Sequence, residues 1–498
     1  MKNNFSEYIS SHAIENGNDI FCSELNGNSI TYKEFDDRIN QCCRHLESLE
    51  LASQSIISVK LENSIEYLII YFSCLRSNII INPLPDSLSK KETIKNIKSI
   101  CPDLYIGREN ILNSKNQICK ILNIINNDEF FYLLDQYDNN FTLDSENLIE
   151  DTACIYYSSG TTGNPKCVEY SHKNMLSLIE SISDEFGFNS DDIFLGVLPV
   201  GHTAIINYQF LPCALVGGRI IIVKNFNSIR PNLWNIINEF SITNFQIVPT
   251  ILFSMLSTPY EEIDIKNNKT LKYLSCGSAP LSINIQEKTK RLFNIPVANL
   301  YGLSETGPSH FDNPINEDWN PGSIGFPLTV NECVIIDANN NECSIGEIGQ
   351  IALKGKNVFK GYFRNEKATK NAFYNDYFLT GDTGYKDGEG RYFFADRIKD
   401  LIIKGGVNIV PGEIEELIYK IDDVISVAII GKEDKLFGED LVAFVQKSPT
   451  SKIDENYIIS ILSEYLQPLK IPHDIRFINK MPIGPSGKIL KKELKQKL

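Results

Sequence analysis

No two cysteines stand in a C-x-x-C spacing, although the chain carries twelve. Cys42 and Cys43 are adjacent and the rest fall at irregular intervals. That pattern argues against a disulfide framework and against a structural metal site, and predicts that most are buried thiols in a reducing cytosol. The six histidines are scattered, so no metal cluster is expected from them. Long hydrophobic runs are also missing. The longest apolar stretch, near residues 67–75, is flanked by Glu66 and Arg76, far short of the roughly 20 residues that cross a bilayer as a helix. The opening MKNNFSEYIS has neither an apolar core nor a small-residue cleavage site, so no signal peptide is expected. Positive charge is in deficit: 48 Lys and Arg against 63 Asp and Glu give −15. Such a balance argues against nucleic acid as a general partner but leaves a locally positive anion site open. No internal repeat or low-complexity linker is present. The expectation is a soluble, cytoplasmic protein with no integral membrane segment.

What is there points to an enzyme of more than one domain. A chain of 498 residues exceeds what one hydrophobic core usually supports. Its 42% hydrophobic and 22% charged residues are the balance of a soluble globular protein. Residues 29–46 read as a short strand followed by a helix, with Tyr32, Phe35, Ile39, Cys42, Cys43 and Leu46 at helical spacing. Helix and strand patterns alternate through residues 61–106 and again from 168 to 280, which predicts α/β layers with a largely parallel sheet. Residues 193–199 and 241–248 read as strands, and residues 110–147, rich in Asn and Asp, as a variable surface region. From about residue 322 the texture changes to short strands and glycine turns, a β-rich and barrel-like subdomain. A boundary is placed near Arg397, beyond which about a hundred residues form a small α+β domain. The expected units are therefore residues 1–396, a hinge at 397–400, and residues 401–498.

One stretch organises the rest. Residues 156–166 read YYSSGTTGNPK: a β-favouring approach ends in Ser158, Ser159, Gly160, Thr161, Thr162 and Gly163, and Lys166 follows a proline. Glycines let consecutive backbone N–H groups face one anion. Hydroxyls add donors, and the lysine adds charge on a flexible stem. This is a phosphate-gripping loop, and it is not the G-x-x-x-x-G-K-[ST] type, because Pro165 precedes the lysine and Cys167 follows it. Composition alone would fit an ordinary polar turn; the order of the residues is far rarer. The loop resembles that of the adenylate-forming enzymes, which include acyl-CoA synthetases, peptide-synthetase adenylation domains and luciferases.

Four further motifs, in that family's order, resemble its signatures. In NLYGLSETG (299–307), Tyr301 offers a ring for adenine, Gly302 and Ser304 complete the nucleotide turn, and Glu305 can hold Mg²⁺ through a hard oxygen. In YFLTGDTG (377–384), the resemblance makes Asp382 the ribose-binding carboxylate. In DRIKDLIIKGG (396–406), it places Arg397 at ribose or phosphate, makes Lys399 the hinge, and lays Gly405 and Gly406 on the thiol side. In PIGPSGKIL (482–490), it makes Lys488 the adenylation lysine, carried in on a Pro-Ser-Gly loop; a mobile cation suits charge that appears only in the transition state. Gly277, Ser278 and Ala279 match the adenine-side turn, and a generic helix start would explain them almost as well. Lys488, Glu305 and Thr161 are the catalytic candidates.

The same resemblance places the acid pocket among residues 201–209, 246–252, 276–280 and 301–311, with His202, Thr203, Gly277 and Tyr301 against the substrate. Amino-acid-activating relatives carry an aspartate for the α-amine where this chain has Thr203. An ammonium left unpaired there would cost on the order of several kcal/mol. The expected substrate is a fatty or aryl carboxylic acid without an α-amine. The expected activity is AMP-forming acid–thiol ligation using ATP and Mg²⁺. The acceptor is CoA, or the phosphopantetheine of a separate carrier protein, since few residues follow Lys488. A catalytically silent nucleotide-binding protein is the alternative of another class, and the co-occurrence of Lys488, Glu305 and Asp382 argues against it.

Overall fold

The computed structural model describes residues 2, 4–109, 119–124, 126–142, 149–158, 166–484 and 488–498. The first 311 residues, with the short strands at 326–327 and 361–362, build three sheets with helices between them. A seven-stranded sheet runs in the order Gly361–Tyr362, Lys166–Ser171, Thr152–Ser158, Ile80–Pro83, Ile56–Lys60, Leu104–Gly107 and Lys120–Asn123. Its strands are parallel from Thr152–Ser158 onward, as alternating helix and strand patterns require. A four-stranded sheet joins Ser29–Thr31, Ile20–Glu24, Arg219–Ile222 and Ile193–Gly196. A third sheet orders Gln246–Ile247, Leu274–Gly277, Val297–Leu303, Gly307–Phe311 and Phe326–Pro327.

The apolar stretch near residue 70 is the helix Ile65–Arg76, and all twelve of its residues are buried. A helix apolar on every side must be covered on every side. Its Tyr71 hydroxyl meets that of Tyr156 at 2.9 Å, tying it to the strand that leads into the phosphate loop. Helix starts are written locally. Thr31 with Glu34, and Ser171 with Asn174, form reciprocal caps on Tyr32–Ser48 and His172–Phe186.

Three local expectations change. Only Ile193–Gly196 of 193–199 is strand, because Asn63 takes the backbone groups of Leu198 and Val200 in place of a neighbouring strand. Only Gln246–Ile247 of 241–248 is strand; Ser241 at φ +53° breaks the extended run. Within 110–147 the described residues include the strand Lys120–Asn123 and the helix Asn127–Leu134, whose Phe130 and Leu134 enter the main core.

The barrel-like expectation corresponds to an antiparallel sheet of Asn331–Ile336, Gly349–Gly355, Tyr377–Lys386 and Phe373–Tyr374, with Tyr392–Arg397 also paired to Tyr377–Lys386. Beyond it a second core begins at Ile402. Here Ile402–Lys404, Val407–Ile409, Val424–Asp434, Gly438–Lys447 and Asp474–Phe477 form one sheet. The helices Pro411–Tyr419 and Glu455–Tyr465 pack on one face, and Ile489 and Leu494 help close the other. The fold is thus a large α/β body with a β-rich portion, followed by a small α+β domain. Among the described residues no helix is long and apolar enough to cross a membrane.

Candidate active site

Strand register, more than sequence proximity, assembles the candidate residues. Ser158 lies opposite Lys166 across the pair that brackets the phosphate loop; Ser159, Gly160, Thr161, Thr162 and Gly163 lie outside the described residues. Gly277 pairs with Leu300, so the turn at Ser278 and Ala279 emerges beside Tyr301. Ser278 sits at φ +73°, a left-handed conformation a non-glycine residue rarely holds without the surrounding structure enforcing it. A Cβ on Gly302 would fall 2.2 Å from the Gly307 carbonyl oxygen, so only glycine fits where this chain doubles back. Ser304, next in the turn, has its carbonyl held by the Tyr170 hydroxyl at 2.9 Å.

Glu305 follows and is buried. Its Oε1 accepts the Tyr362 hydroxyl proton at 3.0 Å, and Lys166 Nζ stands 4.3 Å from the centre of the Tyr362 ring. Burial raises the Glu305 carboxyl above its ordinary range, against the opposing pull of the Tyr362 hydrogen bond and the charges of Lys166 and Arg397. Tyr362 thus holds both the carboxylate and the loop lysine, and sequence reasoning did not single it out. The signal was the pairing of Gly361–Tyr362 with Lys166–Ser171, which no local pattern announces.

Asp382 and Arg397 are cross-strand partners in the β-rich sheet. Arg397 Nε lies 3.2 Å from Asp382 Oδ1, and the Tyr301 hydroxyl donates to Oδ2 at 2.9 Å. Tyr301 is itself only 7% exposed, wedged near His310 and Phe394, so its visible task is to orient the carboxylate. Burial raises the Asp382 carboxyl too, partly offset by Arg397, Tyr301, Lys488 and Lys399.

Lys488 comes from the far end of the chain into this group. Burial pushes its ammonium down to about 8; Arg397 and Lys399 push the same way, while Asp382 and Glu305 pull it back. The charge of Lys488 also reaches His202, whose imidazole is held down to about 4, chiefly by burial, and is therefore neutral near pH 7. His202 Nε2 has no hydrogen-bond partner. Thr203 opens the short turn Thr203–Ile205, which runs into a π-helical segment at Ile206–Phe210, a distortion frequent at functional sites. Lys399 lies in the turn Ile398–Asp400, directly after Arg397. Gly405 and Gly406 do not join the group. They form the two-residue turn of a hairpin, with φ of +59° and +80°, and the Gly405 N–H donates to the Phe437 carbonyl at 2.8 Å.

The structure therefore links Lys166, Glu305, Tyr301, Asp382, Arg397 and Lys488 as cations and carboxylates that act on one another. No three acidic, histidine or cysteine side chains cluster to hold a metal among the described residues. A single buried carboxylate such as Glu305 fits a Mg²⁺ that takes its other ligands from phosphate oxygens and water.

Fold and site define a large α/β body followed by a small α+β domain whose tail brings the charge of Lys488 to Asp382, Arg397 and Glu305. Residues 11–363 match the family described as AMP-binding enzyme, and residues 413–488 match the AMP-binding enzyme C-terminal domain. The chain belongs to that family, the adenylate-forming enzymes. It is 30% identical over 344 residues to a sulfoacetate–CoA ligase of Cupriavidus necator and 32% identical over 352 residues to a long-chain-fatty-acid–CoA ligase of Bacillus subtilis. Each match covers 69% of this chain, but only 66% and 61% of those relatives' own lengths. Among solved structures, ATP-bound MatB from Rhodopseudomonas palustris superposes with a TM-score of 0.91 at 26% identity, over 100% of this chain and 99% of that one.

Proposed function

We propose that this protein is an AMP-forming carboxylic acid–thiol ligase: it adenylates a carboxylic acid with ATP and passes the acyl group to CoA. The observation that carries this reading is Asp382 held by Arg397 and Tyr301, with the charge of Lys488 from the chain's far end acting on the same carboxylate. An acid's carboxylate oxygen attacks the α-phosphorus of ATP, and the bond from that phosphorus to the bridging oxygen breaks to release pyrophosphate. A thiol then forms the new bond to the acyl carbon, AMP departs with the former carboxylate oxygen, and the thiol proton goes to solvent.

In this reading the loop 158–166, with Thr161, grips the outer phosphates through hydroxyls, backbone N–H groups and Lys166. Gly277, Ser278, Ala279 and Tyr301 frame the adenine side. A carboxylate offers about four lone-pair positions; Tyr301 and Arg397 occupy two at Asp382, which leaves two for ribose hydroxyls. Glu305 would hold Mg²⁺, which would neutralise phosphate charge. Lys488 meets the negative charge that grows at the α-phosphoryl oxygens. Because it sits low at about 8 in the free protein, an incoming polyphosphate raises its affinity for the proton just where the positive charge is needed. Lys399 acts as the pivot, and the Gly405–Gly406 hairpin lies on the thiol side.

Neutral His202 and uncharged Thr203 supply no carboxylate for an ammonium, which favours an acid without an α-amine. The relatives named above act on a small sulfonated acid in one case and a long-chain fatty acid in the other, so their likeness does not choose between polar and apolar acids. The test is acid-dependent exchange of labelled pyrophosphate into ATP across short, long and aromatic acids, followed by release with CoA or with a holo-carrier protein. Exchange with none of the acids overturns the reading; release by a carrier but not by CoA reassigns the acceptor. Lys488→Ala is expected to abolish exchange while ATP binding persists.

A further inference from the structure

The helix Pro411–Tyr419 of the small domain meets the large domain in an unusual reciprocal way. The large-domain helix Ile283–Phe293 starts at Ser282, whose side chain does not cap its own helix. Instead Glu416, from the other domain, caps it: Oε1 accepts both the Ser282 hydroxyl proton and the Ile283 backbone N–H, each at 3.1 Å. The small-domain helix likewise lacks a cap from its own N-terminal neighbour, Val410. Its Gly412 N–H donates to Oδ2 of Asp396, in the large domain, at 3.1 Å. Each helix thus satisfies an orphan N-terminal donor, and offsets its positive end, with a carboxylate from across the boundary. The Asn284 side-chain amide donates to the Tyr419 carbonyl, and the Phe253 and Tyr419 rings lie near-parallel at 6.3 Å.

The residue before Glu416 faces the tail. Glu415 Oε1 holds Lys491 Nζ at 3.0 Å and the Ile429 N–H at 2.8 Å. Lys491 stands three residues beyond Lys488, on the short hairpin and helix that deliver the lysine. One helix therefore clasps the large domain with Glu416 and the lysine-bearing tail with Glu415.

We propose that Glu416 is a positioning residue for adenylation: by capping the Ile283–Phe293 helix across the domain boundary it holds the small domain where Lys488 enters the cleft. This rests on the adenylation reading given above, and the tests separate the two. Glu416→Ala removes the acceptor, whereas Glu416→Gln retains an oxygen for the same two donors. In the ligand-free protein, amide hydrogen exchange at Ile283 is expected to quicken about tenfold in Glu416→Ala, the usual scale of a lost cap, and to recover in Glu416→Gln. Lys488 is expected to react faster with trinitrobenzenesulfonate in the Ala variant. With acetate, hexanoate, palmitate and 4-coumarate as carboxylate probes, the kcat of pyrophosphate exchange is expected to fall about tenfold with an unchanged KM for ATP, while thiol attack on pre-formed acyl-adenylate is unaffected.

Equal amide exchange at Ile283 in wild type and Glu416→Ala overturns the clasp, as does an equal loss in both half-reactions. Absence of pyrophosphate exchange in the wild type sinks the adenylation reading, and the amide and lysine measurements still decide the clasp. Should Glu416→Ala fail to fold, Ser282→Ala, which removes one of the two donors, carries the same test at smaller amplitude.

Discussion

At the scale of single residues, the site depends on side chains that hold one another before any nucleotide arrives. Tyr362 is the clearest case, since one ring serves both Glu305 and Lys166. Tyr362→Phe keeps the face toward Lys166 and removes the hydrogen bond to a buried carboxylate, a loss of about 1.5–3 kcal/mol. The expected outcome is a roughly 10- to 100-fold rise in the Mg²⁺ concentration that supports half-maximal pyrophosphate exchange, read from a Mg²⁺ titration. Lys488 gives a pH prediction with a definite sign. On the proposed function its ammonium is the active form, and it is lost as pH rises through about 8 in the free protein. The kcat/KM for ATP is therefore expected to fall on an alkaline limb near that value, since this ratio reports free-enzyme ionisations. A limb near the unperturbed lysine value, about 10.4, would show that Lys488 is not desolvated as described. The motifs around Asp382, Glu305 and Lys488 were legible because glycines and hydroxyls mark them locally. Tyr362 was not, because its role comes from a strand pairing between residues nearly two hundred positions apart.

At the scale of elements, local rules explain most starts and stops. The Ser171 side chain caps His172–Phe186, and Asn174 closes the reciprocal bond at 2.9 Å. Asn174 also donates to the Lys356 and Val358 carbonyls, fastening this helix to the β-rich part. Ser171→Ala is expected to cost about 1 kcal/mol and to lower the melting temperature by a few degrees in calorimetry, with pyrophosphate exchange kinetics unchanged. Helix and strand alternation through 29–106 could be read from the sequence, since periodicity and capping are local. The π-helical turn at Ile206–Phe210 and the shortened strands at 193–196 and 246–247 could not, since Asn63 and the backbone at Ser241 set those ends. Nor could the facing of Asp382 and Arg397, which a bulge between Thr383 and Gly384 adjusts.

At the scale of the whole molecule, the two largest cores are spliced through the β-rich sheet and a short turn. The main core draws on no buried residue beyond Phe378, and the second starts at Ile402. A fragment of residues 1–400 is expected to fold and bind ATP without catalysing exchange, because Lys488 is gone. A fragment of 402–498 is expected to unfold cooperatively by circular dichroism; a featureless melt would show that it borrows its stability from the large domain. A large and a small domain were legible from length and from the α+β pattern after residue 397. How they dock was not, because Glu416 and Asp396 become caps only when two helix ends meet in space.

One feature joins these scales. Arg397 is the last residue of its strand and the ion-pair partner of Asp382, and the turn Ile398–Asp400 begins at the next residue. On the proposed function nothing slack separates the ribose grip from the pivot, so a sugar held at Asp382 would also brace the axle on which the small domain is mounted. Loading the cofactor pocket and setting the angle of the lid would then be one mechanical act.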